Sequence, residues 1–304
     1  MTALAAELRH HPNVPSLEVY DEENVTQWWE GTREQYARTL DIASRAARIH
    51  RRFEIVAGGL VFPDVEWMED LCAQPGVRSS FDVVAVHAYP ETWTPAGVTA
   101  ENYFGAEFEK KFVRAVDRAC GRKRVWINET GFATTPGKTE MDQAAWWVRA
   151  IATFAAEPRV EHIGVYEIKD LAAEKAAIGD APNYHRGVAR SDRTPKLAFA
   201  TIKRVVELFG SRSVTIADAD VIVEPREAEG ELHYHAFARP DGDRILFVWN
   251  RVSEQKVRIA AKTRSGPITE YGLDGSARRE TLALPLEVTL GRGIPRIFRW
   301  SQRP

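Results

Sequence analysis

A chain of 304 residues, 44% of them hydrophobic, holds enough apolar material for ordinary cores and is long enough for two domains. Its 41 Lys and Arg against 43 Asp and Glu give a formal net charge of -2, which removes the electrostatic case for nucleic acid or an anionic membrane surface as partner. No apolar run is long enough to span a bilayer, and the start MTALAAELRHH meets charge too soon for a signal peptide, so a soluble, cytoplasmic protein is expected.

Short apolar strands are predicted at Ser16–Tyr20, Glu54–Leu60, Asp82–His87, Arg124–Asn128 and His162–Ile168, with amphipathic helices between them. Thr32-x-x-Gln35 has the form of a capping box, followed by Tyr36, Leu40, Ala43 and Ala47 at helical spacing and by Arg51-Arg52 at the expected helix end. A second helix is expected over Pro63–Ala73. Phe104, Phe108, Phe112, Val116 and Cys120 make a third apolar stripe, ended by Gly121. Ala144, Trp147, Ile151 and Phe154 repeat the pattern, and Pro195 opens a last helix through Ala198, Ile202, Val205 and Phe209 to Gly210. Strands apolar on both faces and separated by helices indicate a parallel sheet. From Ser211 the period changes to two: HYHAFARPDGDRILFVWNR reads as a hairpin turning at Pro240-Asp241-Gly242, and further short strands follow, as in an antiparallel sandwich. The boundary is placed between residues 209 and 210. Cys72 and Cys120, the only cysteines, lie in separate helical segments, which argues against a disulfide scaffold and for a reducing compartment.

Two carboxylates stand where a parallel barrel keeps its chemistry, just beyond the C-terminal ends of strands: Glu22 after SLEVY and Glu129 after RVWIN. Retaining glycosidases need two carboxyl groups about 5 Å apart across the scissile bond. Each Glu alone reads more readily as a solvated loop residue; the two together in matching positions argue for a site.

EVYDEENVTQWW resembles the Asn-Glu-Pro-Asn segment after strand four of clan A glycoside hydrolases, and VWINETGF resembles their strand seven, where Glu before Thr-Gly is the nucleophile. FDVVAVHAYP is similar to their strand six, and GVYEIKDL with GVARSDRTPKLAFATIK to strand eight and the last helix. The hairpin HYHAFARPDGDR, within the C-terminal sandwich, is similar to the accessory sandwich of family 39, the β-xylosidase and iduronidase group. The resemblance implies an α/β fold: a partial (β/α)8 TIM barrel of about five β/α units, then a C-terminal antiparallel β-sandwich. It implies a retaining hydrolase of β-linked glycosides that needs no cofactor and no metal, with Glu22 as acid/base and Glu129 as nucleophile. His87 and Tyr89 would orient Glu129 or contact the sugar, or form a structural pair at a strand end. Trp93 is either a stacking platform or a loop-packing residue, and Tyr166 falls where the family has a subsite wall.

Two departures stand out. The family's Asn is Asp21 here and its Pro is Glu23, and an ionised Asp cannot donate to a sugar hydroxyl. If SLEVY is strand four, strands one to three are absent, leaving open sheet edges and exposed apolar interior side chains. Self-association, a partner covering the open sheet, or a truncated sequence would account for this; so would a non-catalytic remnant that binds carbohydrate or serves as a half-barrel assembly unit. His233 and His235 share a strand face with no acidic partner in view, Trp28-Trp29 and Trp146-Trp147 read as helix–barrel packing, and Lys169-Asp170 line the site or pair with each other.

Overall fold

The computed structural model describes residues 2–8, 10–50, 53–103, 108–172, 181–211, 214–226, 230–263, 265–281 and 284–302. Phe104 and Arg51-Arg52 lie outside them. Five parallel strands form one sheet in chain order: β1 (Ser16–Val19), β2 (Glu54–Leu60), β3 (Val83–Ala88), β4 (Arg124–Thr130) and β5 (Val160–Val165). β5 starts and ends earlier than its sequence pattern suggests, because Val160 is the residue that pairs with Val125.

Helix α1 spans Thr2–Leu8, and α2 spans Arg33–His50. The capping box at the start of α2 is present: the Thr32 amide donates to Gln35 Oε1 at 2.7 Å, and the Gln35 amide to Thr32 Oγ1 at 3.2 Å. α3 (Val65–Ala73) starts at Asp64, whose carboxylate accepts from the Trp67 amide. Among the described residues between β3 and β4 are α4 (Ala100–Tyr103), a π-helical turn (Glu109–Val113) and α5 (Arg114–Cys120), and Phe108, Phe112, Val116 and Cys120 are all buried. α6 (Glu140–Ala155) opens on a Thr139–Asp142 capping box; α7 is Ala181–Tyr184 and α8 is Leu197–Phe209.

The remaining strands are antiparallel: β6 (Thr215–Ile216), β7 (Val221–Pro225), β8 (Leu232–Ala238), β9 (Asp243–Asn250), β10 (Gln255–Ala261), β11 (Ser265–Tyr271), β12 (Ala277–Thr281), β13 (Leu286–Leu290) and β14 (Arg296–Gln302). They form a sheet in the order β13-β10-β7 and another in the order β12-β11-β14-β9-β8-β6. Leu246, Val248, Val257, Ile259, Val288, Leu290, Phe298 and Trp300 make the core between these sheets. The chain is a partial (β/α)8 barrel followed by an antiparallel β-sandwich.

Contacts gather the residues into two compact units, Met1–Thr130 with Glu157–Val165, and Gly131–Ala156 with Tyr166–Pro304. This line differs from a cut between 209 and 210. α8 belongs with the sandwich because Arg204 donates to the Gly275 carbonyl at 2.7 Å and Arg239 to the Leu208 carbonyl at 2.8 Å. Glu140 joins α6 to the same unit by accepting from the Leu197 amide.

Several expectations need correction. Cys72 and Cys120 form a disulfide, with Cα atoms 5.2 Å apart. Each cysteine lies in a helix, as read, but α3 and α5 pack side by side, which sequence spacing does not convey. Apolar side chains on the inner face of the parallel sheet are not laid bare: Val56, Val83 and Ala85 are fully buried, and Trp126 packs over them. Around that patch the face is polar, with Ser16 donating to Glu54 at 3.1 Å and Arg124 paired with both Glu54 and Glu161. Asp170 pairs with Lys196 at 2.7 Å rather than with Lys169. His233 and His235 each have a carboxylate nearby, Glu231 at 3.4 Å and Asp218 at 3.6 Å, and both rings lie against Trp249. Trp146 and Trp147 are buried, whereas Trp28 is exposed.

The disulfide closes a loop of 48 residues, for which chain entropy gives about 4 kcal/mol. Cys72→Ser is expected to lower the chemical-denaturation midpoint accordingly, and the unfolded, unreduced chain to show no free thiol.

Candidate active site

Each strand delivers its functional residue where the chain leaves the sheet. At the end of β1, Tyr20 and Glu22 both take positive φ (69° and 56°), a conformation that costs an L-residue energy and persists only when its surroundings hold it. The Tyr20 hydroxyl donates to the Trp28 carbonyl at 2.6 Å, and the Glu22 amide donates to the Gly59 carbonyl at 3.1 Å. Asn24 ties the same loop to β2 by accepting from the Val61 amide.

Gly59 is skipped in the β2–β3 register, where Gly58 pairs with Ala85 and Leu60 with Val86. The φ of +97° at this bulge favours glycine, and a Cβ there would push aside the carboxylates of Asp21 and Glu18. β4 bulges at the matching height: Ile127 pairs with Val86 and Glu129 with His87, leaving Asn128 unpaired against β3. On the other side Gly164 makes room, since a Cβ there would strike the Asn128 carbonyl. The bulge shifts the alternation of β4, and Asn128 and Glu129 both serve the same end of the sheet.

His87, at the end of β3, is the meeting point. Its Nδ1 lies 2.8 Å from Glu22 Oε1 and 2.8 Å from Glu129 Oε2, and its Nε2 lies 3.3 Å from Asp21. The contact atoms of Glu22, His87 and Glu129 are all within 4.8 Å of one another. His87 is buried while the two glutamates keep about a fifth of their side chains open to solvent. Burial opposes charge on the imidazole, but its hydrogen bonds with Asp21, Glu129 and Glu22 outweigh that and raise its pKa to about 11. The charged ring has no lone pair for a metal; the same three groups could hold a divalent cation only with the imidazole deprotonated.

The three consecutive carboxylates therefore part company. Asp21 is exposed beside Nε2, and Glu22 faces Nδ1. Glu23 turns inward, 2% exposed, beside the buried Tyr36 hydroxyl. Tyr89 is buried with its ring edge-to-face against Trp93 at 4.9 Å, and Trp93 is 44% exposed, a flat surface backed by a second ring. Tyr166 belongs to the second unit, where the Arg186 guanidinium lies 5.8 Å from its ring and its peptide bond to Glu167 is cis. Glu18 and Asn128 were not singled out from the sequence. Asn128 Nδ2 donates to Glu18 Oε1 at 2.7 Å. A cleft of about 670 Å³ lined by Glu54, Asp82, Arg122, Lys123, Arg124 and Glu161 opens at the opposite, N-terminal end of the strands. It holds none of these residues, and Arg124 is already neutralised there.

Burial, with Asp21 and Glu18 nearby, raises the Glu23 pKa to about 8. A carboxyl whose pKa rises on folding, and a histidine whose pKa does so, both bind more protons in the native state, so each loses stabilisation as pH rises. The melting temperature is expected to fall from pH 5 to pH 9, the Glu23 part between its unfolded value and about 8. Glu23→Met should melt near wild type at pH 5 and above it at pH 9, by a few kcal/mol at about 1.4 kcal/mol for each pH unit between the unfolded and folded pKa, because only the ionised carboxyl carries the full burial penalty.

No family model matches the sequence, and no curated protein does. Solved structures match over almost the whole chain. A family 39 glycoside hydrolase from Bacteroides cellulosilyticus WH2 aligns with TM-score 0.72 and 17% identity, covering 99% of this chain and 61% of that one. A monomeric β-xylosidase from Caulobacter crescentus CB15 aligns with TM-score 0.64 and 15% identity over 100% and 74%. A family 30 endoxylanase from Clostridium papyrosolvens C71 aligns with TM-score 0.65 and 11% identity over 99% and 70%. The chain thus spans about three fifths of the first of these, and identities this low speak to fold. In fold, the chain is similar to these family 39 and family 30 glycoside hydrolases, with the family 39 structure from Bacteroides cellulosilyticus giving the higher TM-score.

Proposed function

We propose that the chain is a retaining O-glycoside hydrolase acting on β-linked glycosides. The observation that carries this reading is the approach of Glu22 and Glu129 to within 4.8 Å across His87, the separation of a double displacement and too short to admit a water between them. Glu22 gives its proton to the glycosidic oxygen while a Glu129 oxygen attacks the anomeric carbon, releasing the leaving alcohol and forming a glycosyl ester. Glu22 then takes a proton from water as that water attacks the same carbon, and Glu129 leaves as carboxylate. His87 holds both groups at the strand ends, and the exposed Trp93 offers a face for stacking on a sugar. The β-xylosidase and endoxylanase among the similar structures make a xylose-type sugar the first to try.

The reading extends to assembly. β1 and β5 are the outer strands of the parallel sheet, and the polar inner face beside them is where a second copy, or another partner, would cover it. Sedimentation velocity of the purified chain should find a dimer; a monomer at all concentrations removes self-association.

Incubation with an activated 2-fluoro-β-xyloside and related 2-fluoro-glycosides should add one sugar to the intact mass. The adduct is expected to be absent in Glu129→Ala. Glu22→Ala should lose about 10²–10⁴-fold on substrates with poor leaving groups and keep most activity on activated ones. No adduct across the sugar panel would favour a non-catalytic carbohydrate-binding role.

A further inference from the structure

Glu18 lies four residues before Glu22 on β1, and its partner Asn128 lies on β4. Two strands stand between them. At about 4.8 Å per interstrand gap, that separation is more than two side chains of this length can bridge unless the sheet curls. The bond therefore ties the ends of β1 and β4 to each other directly. It also ends on the residue of β4 that has no partner in β3, the bulged Asn128. A bulge lacking ladder bonds on one side is free to relax, and the next residue along is Glu129. Gly59 completes the arrangement, because without a Cβ it leaves the Glu18 carboxylate its present place beside Asp21.

The geometry points to Glu18 as a positioning residue: by holding the Asn128 bulge it fixes the carboxylate of Glu129 against His87 and Glu22. This rests on the retaining mechanism only for its kinetic consequence; the positioning itself is a property of the fold. Partial desolvation, then the charge of Asp21, raise the Glu18 pKa to about 7, while His87 and the Asn128 amide pull it down. Solvent reaches this side chain and screens the shift. In either protonation state an oxygen remains to accept from Asn128, so the tie does not depend on the charge.

The test compares Glu18→Ala, Glu18→Gln and Asn128→Ala in the full chain, using two readouts. The rate of 2-fluoroglycoside labelling should fall about 100-fold in Glu18→Ala and in Asn128→Ala, the effect of displacing a reacting group by about 1 Å. Glu18→Gln keeps the acceptor and should stay within a few-fold of wild type, and Glu18→Ala with Asn128→Ala should be no worse than either alone. The second readout needs no activity: titration of His87 by nitrogen NMR of histidine-labelled protein. Both Glu18 variants lose one nearby charge, but only Glu18→Ala also frees Glu129, so its midpoint should lie about one pH unit below that of Glu18→Gln. Equal behaviour of the Ala and Gln variants in both readouts overturns the inference. A wild type that is never labelled removes the proposed activity, and the His87 titration then decides the positioning alone. Should Glu18→Ala fail to fold, Asn128→Ala breaks the same bond from the other end.

Discussion

Everything at the C-terminal end of the parallel sheet is arranged around one buried imidazolium. Two carboxylates about 5 Å apart, when both are ionised, repel by about 3 kcal/mol at an effective dielectric of 20, and the neutral Asn128 amide that ties their strands together does not offset that charge. His87 supplies the opposing charge from the strand end between them, at 2.8 Å from each. Desolvation of the ring is the cost of that position, and three acidic neighbours more than offset it. The left-handed backbone at Glu22 and the bulge before Glu129 make sense as ways of aiming two side chains at one nitrogen.

The same arrangement separates the roles of neighbouring acids. Glu22 and Glu23 are adjacent in sequence, yet one is reachable from solvent and the other is sealed beneath the loop, under the influence of the wholly buried Tyr36. Burial of a carboxyl stabilises nothing by itself. Its presence marks a loop whose conformation is set by what Glu22 requires rather than by what Glu23 prefers.

Much of the fold was legible in the sequence because it follows from periodicity. The change from helical and buried-strand patterns to alternation after Ser211, the capping box at Thr32 and the Pro240-Asp241-Gly242 turn are local signals, and local bonding produces what they predict. That Glu22, Glu129 and His87 lie at one end of the parallel sheet was legible from their positions after strands together with family likeness. What stayed hidden is set by tertiary approach. The Cys72–Cys120 bond depends on two helices lying side by side, and the Glu18–Asn128 bond joins residues 110 apart. The cover that Trp126 gives to Val56, Val83 and Ala85 depends on which face of β4 turns inward, and the bulge at Asn128 is invisible in a pattern of alternation.

The side-chain links across the inner face also bear on how an unclosed sheet can keep a barrel's bend. A closed barrel behaves as a hoop, each strand held in the arc by backbone bonds on both sides. In this chain, links that skip strands act as chords instead: Glu54 to Arg124 passes over β3 near one rim, and Glu18 to Asn128 passes over β2 and β3 near the other. An arc pinned by chords at both rims resists flattening without being a complete circle. The bend that brings two distant strand ends within reach of one histidine is thus built into the arc itself.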